Sequence, residues 1–295
     1  MFAEYKKDKS NIINEAALAD RIANCSCRAL LYEVSTTPKP GLVDRDNSGA
    51  HKDMDFFTFV DSTAALIPYF RDAAICGMTN RSEAPENVFQ RIRHLGIIAE
   101  ESMFQATKGI NTHKGLIFSL GVICGSAGWL YGNGYEVSPE SVCRVSTEML
   151  KDIVHDFDGI TEDNAVTYGE VLYAKYGIKG IRGEAGTGFP SVINYGLPAL
   201  KQKLKEGKSL NDAGVYTLLT LMAHVTDTNV ITRSNKKRQE ELSLEIKELI
   251  ERKQEITLEE VVMLDRQLTN ENISPGGSAD LLALTFFFYF MEQEL

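Results

Sequence analysis

Between Thr37 and Asp55 the chain places Pro38, Pro40, Gly41 and Gly49 among Lys39, Asp44, Arg45, Asp46, His51, Lys52, Asp53 and Asp55. Both charge signs, a titratable imidazole and stiff backbone punctuation meet there, and a passive linker needs none of these. Four further segments share this character. Gly109 to Gly115 sets Asn111, Thr112, His113 and Lys114 at the mouth of a helix expected near Leu116. Backbone N–H groups beside a lysine suit a phosphate, although Asn111 or Thr112 could equally cap the helix. Gly180 to Pro190 carries Arg182 and Glu184 among four glycines. It lacks the Gly-x-x-x-x-Gly-Lys-Ser/Thr spacing and follows no strand, so it is not a P-loop, and Arg182 and Glu184 could also pair with each other. His224 to Arg233 brings Asp227, Asn229 and Arg233 to one helix end, where oxygen ligands suit a hard cation and Asp227 equally suits a cap. Asn272 to Asp280 offers Gly276 and Gly277 for close approach, Ser278 as an N-cap, and Asp280 within reach of a ligand. His94 and His155 read as structural, and no Ser-His-Asp or Cys-His spacing points to acyl transfer.

The elements that must position these segments read as helices. Apolar residues recur at helical spacing over 12–34, 54–76, 88–106, 116–130, 139–157 and 165–176. The pattern returns over 191–204, 211–225, 236–252, 258–268 and 279–294. Asp53, Ser138 and Thr257 stand where N-caps are expected, and Val230 to Thr232 is too short for a strand. The reading is an all-α, single multi-helix domain over 1–295, with an active site built from loops at converging helix ends.

With 43% apolar residues in 295, the chain can bury a large core. A net charge of −10 argues against nucleic-acid or membrane-surface partners. Five cysteines without metal or disulfide spacing read as reduced and mostly buried. The first fourteen residues hold Lys6, Lys7 and Lys9 but no apolar core, so no secretory signal is expected. The Leu281–Met291 run is shorter than the ~20 residues that a span needs. A cytoplasmic protein is expected.

Taken in order, Thr37-Pro-Lys-Pro-Gly-Leu-Val-Asp44, Gly49-Ala-His-Lys-Asp-Met54, Asn111-Thr-His-Lys-Gly115, Arg182-Gly-Glu184, Asp227-Thr-Asn229 and Ser274-Pro-Gly-Gly-Ser-Ala-Asp280 resemble the triphosphoribosyl-dephospho-CoA synthase family, the CitG type. The resemblance runs from about Ala23 to Met291. It implies transfer of the triphosphoribosyl group of ATP to the 2′-hydroxyl of 3′-dephospho-CoA, with release of adenine. The product is the prosthetic-group precursor of the citrate lyase acyl carrier protein, and a close relative serves malonate decarboxylase. The resemblance also implies an all-helical, magnesium-dependent enzyme. A holo-carrier-protein transferase domain is not part of this sequence, so a separate protein is expected to take the product onward. Where the family often has glycine after Arg233, this chain has Ser234.

Breaking an N-glycosidic bond builds positive charge on the ribose carbon, so carboxylates are expected at the centre and cations at the edge. Lys39, Arg45, Lys114, Arg182 and Arg233 are the candidates for the phosphates of both substrates, with Asn111, His113, Asn229 and Ser278 as further nucleotide contacts. Asp44, Asp53 and Asp227 are the candidates for magnesium. Glu184 or His51 is expected to take the 2′-hydroxyl proton, and Asp44 could exchange its metal role for that of base. Two other classes fit the same residues: a magnesium-dependent ADP-ribosyl hydrolase or phosphohydrolase, and a non-catalytic nucleotide-binding assembly protein of the lyase complex.

Overall fold

The computed structural model describes residues 14–252 and 256–295; Lys6, Lys7, Lys9, Ile12 and Ile13, and the side chain of His155, lie outside what is described. Among the described residues the fold is all-α. The chain runs through α1 (Glu15–Ser35), α2 (Phe56–Thr79), α3 (Pro85–Ala106), α4 (Lys114–Gly132), α5 (Pro139–Met149), α6 (Tyr168–Tyr176) and α7 (Gly180–Gly186). It continues through α8 (Leu197–Lys205), α9 (Leu210–His224), α10 (Thr228–Arg233), α11 (Lys236–Arg252), α12 (Leu258–Asn270) and α13 (Gly276–Glu294). One apolar cluster, from Leu18 of α1 to Met291 of α13, joins all of them except α6.

The helix starts follow local chemistry. Ser138 and Thr257 cap α5 and α12 through reciprocal bonds with Ser141 and Glu260. Asp55, not Asp53, caps α2: its carboxylate accepts the Thr58 N–H, and the Thr58 hydroxyl oxygen accepts the Asp55 N–H in return. The 139–157 periodicity divides into α5 and a 3-10 turn at Ile153–Phe157. Two polar segments read as loops contain the short helices α7 and α10. Ser278 is not a cap either; α13 begins at Gly276, and Ser278 sits inside its first turn.

At the centre α2 lies against α4, the one described helix long and apolar enough to cross a membrane and mostly buried inside the fold. Their backbones meet through small residues. A Cβ on Gly128 would stand 2.1 Å from the Ala74 carbonyl oxygen, and one on Gly77 would stand 2.0 Å from that of Gly125. Replacing a helical glycine by alanine gains about 1 kcal/mol of intrinsic propensity. Here backbone faces backbone and cannot yield, so overpacking at about 1–3 kcal/mol or more outweighs that gain. Gly128→Ala is therefore expected to lower the urea midpoint with the slope unchanged; an unchanged or raised midpoint would show that the two helices separate freely.

Candidate active site

The Thr37–Asp55 segment joins α1 to α2 and is fastened from both sides. The Thr37 N–H donates to Asn211 Oδ1 at 3.0 Å, and Asn211 Nδ2 donates back to the Thr37 carbonyl at 2.8 Å. Asp265 of α12 accepts the Gly41 N–H at 2.9 Å and the Asn47 side-chain amide at 3.1 Å. Gly41, at φ +70°, presses its backbone onto Ile273, where a Cβ would lie 2.2 Å from the carbonyl oxygen. Asp44 holds the segment together internally. Its Oδ2 accepts the Thr37 hydroxyl at 2.7 Å and the Lys39 N–H at 3.0 Å, while Oδ1 accepts the Asp46 and Asn47 N–H groups at 2.7 and 2.9 Å.

Beneath this segment, the ends of α1, α4, α7, α9, α10 and α13 surround a cavity of about 750 Å³, within the usual range for ligand pockets. Its inner wall is acidic. Glu33, 3% exposed, pairs with the ammonium of Lys39, 1% exposed. Burial pushes the Glu33 carboxyl up, and Lys39 works against that shift. Glu184, half-buried on α7, accepts the Ser191 N–H at 2.7 Å and the Ser191 hydroxyl at 3.0 Å. Burial raises its pKa despite those two bonds. Asp280 of α13 lines the same wall.

His113 is buried at the start of α4. The Thr112 hydroxyl donates to Ser62 Oγ at 2.7 Å, and Ser62 Oγ lies 2.7 Å from His113 Nδ1. With Ser62 accepting from Thr112, its own hydrogen is directed at Nδ1, which assigns the ring proton to Nε2. Nε2 has no partner among the described residues. Burial, reinforced by the Lys39 charge, pushes the pKa of His113 down to about 3, so the ring is neutral at physiological pH.

The outer rim is cationic. Lys114 is exposed and ion-paired to Glu100 at 2.5 Å; Lys179 is exposed; Arg233 is half-buried, with Nη1 3.4 Å from the carbonyl oxygens of Ala50 and Asn272. Arg233 Nη2 stands 3.3 Å from His51 Nδ1, and His51 Nε2 meets Ser274 Oγ at 2.9 Å. Burial and then Arg233 lower the pKa of His51, opposed by Asp53 at 3.6 Å. Asn111 and Asn229 complete the rim.

Several expected contacts sit elsewhere. Arg45 is exposed and bonds Asn211 Oδ1 at 3.2 Å, and Arg182 faces Asp156 at 3.6 Å with its guanidinium over the Phe157 ring; neither lines the cavity. Ser278 donates its N–H and hydroxyl to Asp227 Oδ2 at 2.7 and 2.9 Å. The other Asp227 oxygen accepts the N–H groups of Asn229 and Val230 at 2.9 and 3.4 Å, which ties the starts of α10 and α13 together. The three carboxylates expected for magnesium therefore do not fit a protein-built cation site. Asp44 and Asp227 spend both oxygens on N–H and O–H donors, Asp53 is exposed beside His51, and no cluster of three or more metal-ligating side chains occurs among the described residues. Glu33 and Lys179 were not among the expected site residues, and Asp280 was read only as within reach of a ligand. An acid continuing the apolar stripe of α1 three residues beyond Leu30 was the available signal for Glu33.

Residues 19–295 match the family model described as ATP:dephospho-CoA triphosphoribosyl transferase (CitG). The 2-(5″-triphosphoribosyl)-3′-dephosphocoenzyme-A synthase of Pectobacterium atrosepticum is 41% identical over 90% of this chain and 87% of its own length. A relative from Pectobacterium carotovorum, named a probable synthase of the same kind, is 40% identical over 96% of this chain and 94% of its own. One from Streptococcus mutans with the same name is 37% identical over 90% and 94%. No solved structure matches.

Proposed function

The chain belongs to the ATP:dephospho-CoA triphosphoribosyl transferase family, and from that premise we propose that the cavity is where it transfers the triphosphoribosyl group of ATP to the 2′-hydroxyl of 3′-dephospho-CoA and frees adenine. The observation that carries the reading is the layering of charge, with carboxyl groups on the inner wall and cations on the rim. A ribose entering sugar-first meets the carboxyl groups, and its phosphates stay among the cations. As the bond from C1″ to adenine N9 lengthens, positive charge grows on C1″, and the Glu184 carboxylate on the cavity wall lowers its energy.

Glu184 is the base that takes the 2′-hydroxyl proton. Ser191 holds both its oxygens, and its raised pKa gives it more affinity for a proton than an ordinary carboxylate has. Arg233, Lys114 and Lys179 hold phosphate oxygens, and Asn111 and Asn229 add amide contacts beside them. His51, kept neutral by burial and Arg233, positions that guanidinium. Lys39 fixes Glu33, while Asp44, Asp227 and Ser278 are scaffold that locks the walls. Magnesium would enter bound to the triphosphate, since Asp44, Asp53 and Asp227 do not form a site for it. The reaction is placed in the cytoplasm, with the product handed to a separate holo-carrier-protein transferase for citrate lyase or malonate decarboxylase.

Incubation with ATP, magnesium and dephospho-CoA is expected to yield free adenine together with a dephospho-CoA product heavier by one triphosphoribosyl unit, read by chromatography and mass spectrometry. ADP, phosphate or ADP-ribose without adenine would overturn the transferase reading.

A further inference from the structure

Asp280 stands in the first turns of α13 with its carboxyl group on the cavity wall, and no hydrogen bond or ion pair to a described residue engages it. Its position is built. Oδ2 rests against the backbone of Gly115 in the first turn of α4, where a Cβ would come within 2.1 Å, so only glycine there leaves room for the carboxyl group. The charges around it offer no partner. Glu33 at the end of α1 and Asp227 at the start of α10 are like charges; Lys39 is committed to Glu33; His113 is neutral. Asp280 is half-buried, and an unpaired carboxylate beside two like charges is disfavoured there, so keeping the proton lowers the cost. Burial first, then Glu33 and Asp227, hold Asp280 well above the usual carboxylate range.

The transferase reading requires a proton at the departing base, because an adenine anion is a poor leaving group. Building on that reading, we propose that Asp280 is the general acid of the reaction, placed on the cavity wall opposite Gly115 to protonate a ring nitrogen of the leaving adenine. As the C1″–N9 bond breaks, its electron pair goes to the adenine ring and the Asp280 carboxyl proton goes to a ring nitrogen. The dephospho-CoA 2′-oxygen forms the new bond to C1″ and gives its proton to Glu184. One proton then passes through water from Glu184 to Asp280, and both groups return to their starting states with neutral adenine released.

The test compares two donors in D280N: ATP, and the 5′-triphosphate of p-nitrophenyl ribofuranoside, whose phenolate leaves without protonation. Turnover of ATP is expected to fall by about 100-fold or more, while the nitrophenyl donor keeps turnover within a few-fold of wild type. D280S gives a second reading should D280N fail to fold. Equal losses on both donors would overturn the proposal, as would recovery of both at raised magnesium, which would make Asp280 a cation ligand. If wild-type protein releases no adenine in the presence of dephospho-CoA, the transferase reading itself fails, an outcome distinct from any result on D280N.

Discussion

Glu184→Gln is expected to lower kcat by about 10²- to 10⁴-fold, with KM for both nucleotides within a few-fold of wild type and the melting temperature little changed. The amide is nearly isosteric and can keep both contacts to Ser191. Its oxygen accepts the Ser191 N–H, and its NH₂ donates to the Ser191 hydroxyl, which rotates to accept. What it loses is the ability to take a proton, so the defect falls on the chemical step rather than on binding. The pH profile supplies an independent readout. A base must be ionised to act, and burial holds Glu184 above the ordinary carboxylate value. Wild-type kcat should therefore fall as pH drops through that raised value, and the residual activity of Glu184→Gln should lack this acid limb. Near-normal turnover with the limb intact would remove Glu184 from the proton transfer and leave His51 as the cavity group to examine.

The fold was legible in the sequence wherever the signal is local. Apolar spacing and caps such as Ser138 and Thr257 are set by neighbours within one or two turns, and there the helices begin where those residues say. Asp53 and Asp55 show the limit of that signal. Both are acids ahead of the Phe56 run, and only Thr58, three residues after Asp55, completes the reciprocal bond that selects one of them. The site was legible as segments but not as roles. Composition marks the Thr37–Asp55 segment as chemically dense, yet it does not say that the Asp44 oxygens are consumed by N–H and O–H groups of their own loop. Asp227 and Ser278 lie 51 residues apart and meet only because α10 and α13 start side by side. Glu33 was hidden for the opposite reason: it sits in a regular helix that contains no glycine or proline, and its burial depends on a lysine delivered by the following loop. A residue in a loop advertises itself through backbone punctuation, whereas a buried acid in a helix does so only when its partner is known.

The same buried partnership sets the size of a second effect. Lys39→Met is expected to destabilise the protein by about 3–5 kcal/mol, the usual consequence of stripping one member from a buried ion pair. Methionine fills most of the lysine stem's volume, so packing is a small part of the loss; what remains is Glu33, nearly inaccessible to water and without its counter-charge. Burial already pushes the Glu33 carboxyl up and Lys39 holds it back, so without Lys39 the folded state should bind the proton more tightly. A carboxyl group whose folded pKa exceeds its unfolded value favours folding when protonated, and this contribution is lost as pH rises from the unfolded value through the folded one. The deficit of Lys39→Met against wild type should then be smaller near pH 5 than near pH 8, as measured by urea midpoints at fixed ionic strength. Glu33→Gln combined with Lys39→Met removes both charges and is expected to recover much of the loss, giving a large favourable coupling in the double-mutant cycle. Catalysis should not recover with stability, because the Glu33–Lys39 pair also ties the 37–55 segment to the end of α1. A single Lys39→Met variant as stable as wild type across this pH range would mean that Glu33 reaches solvent, and the inner wall of the cavity would have to be redrawn.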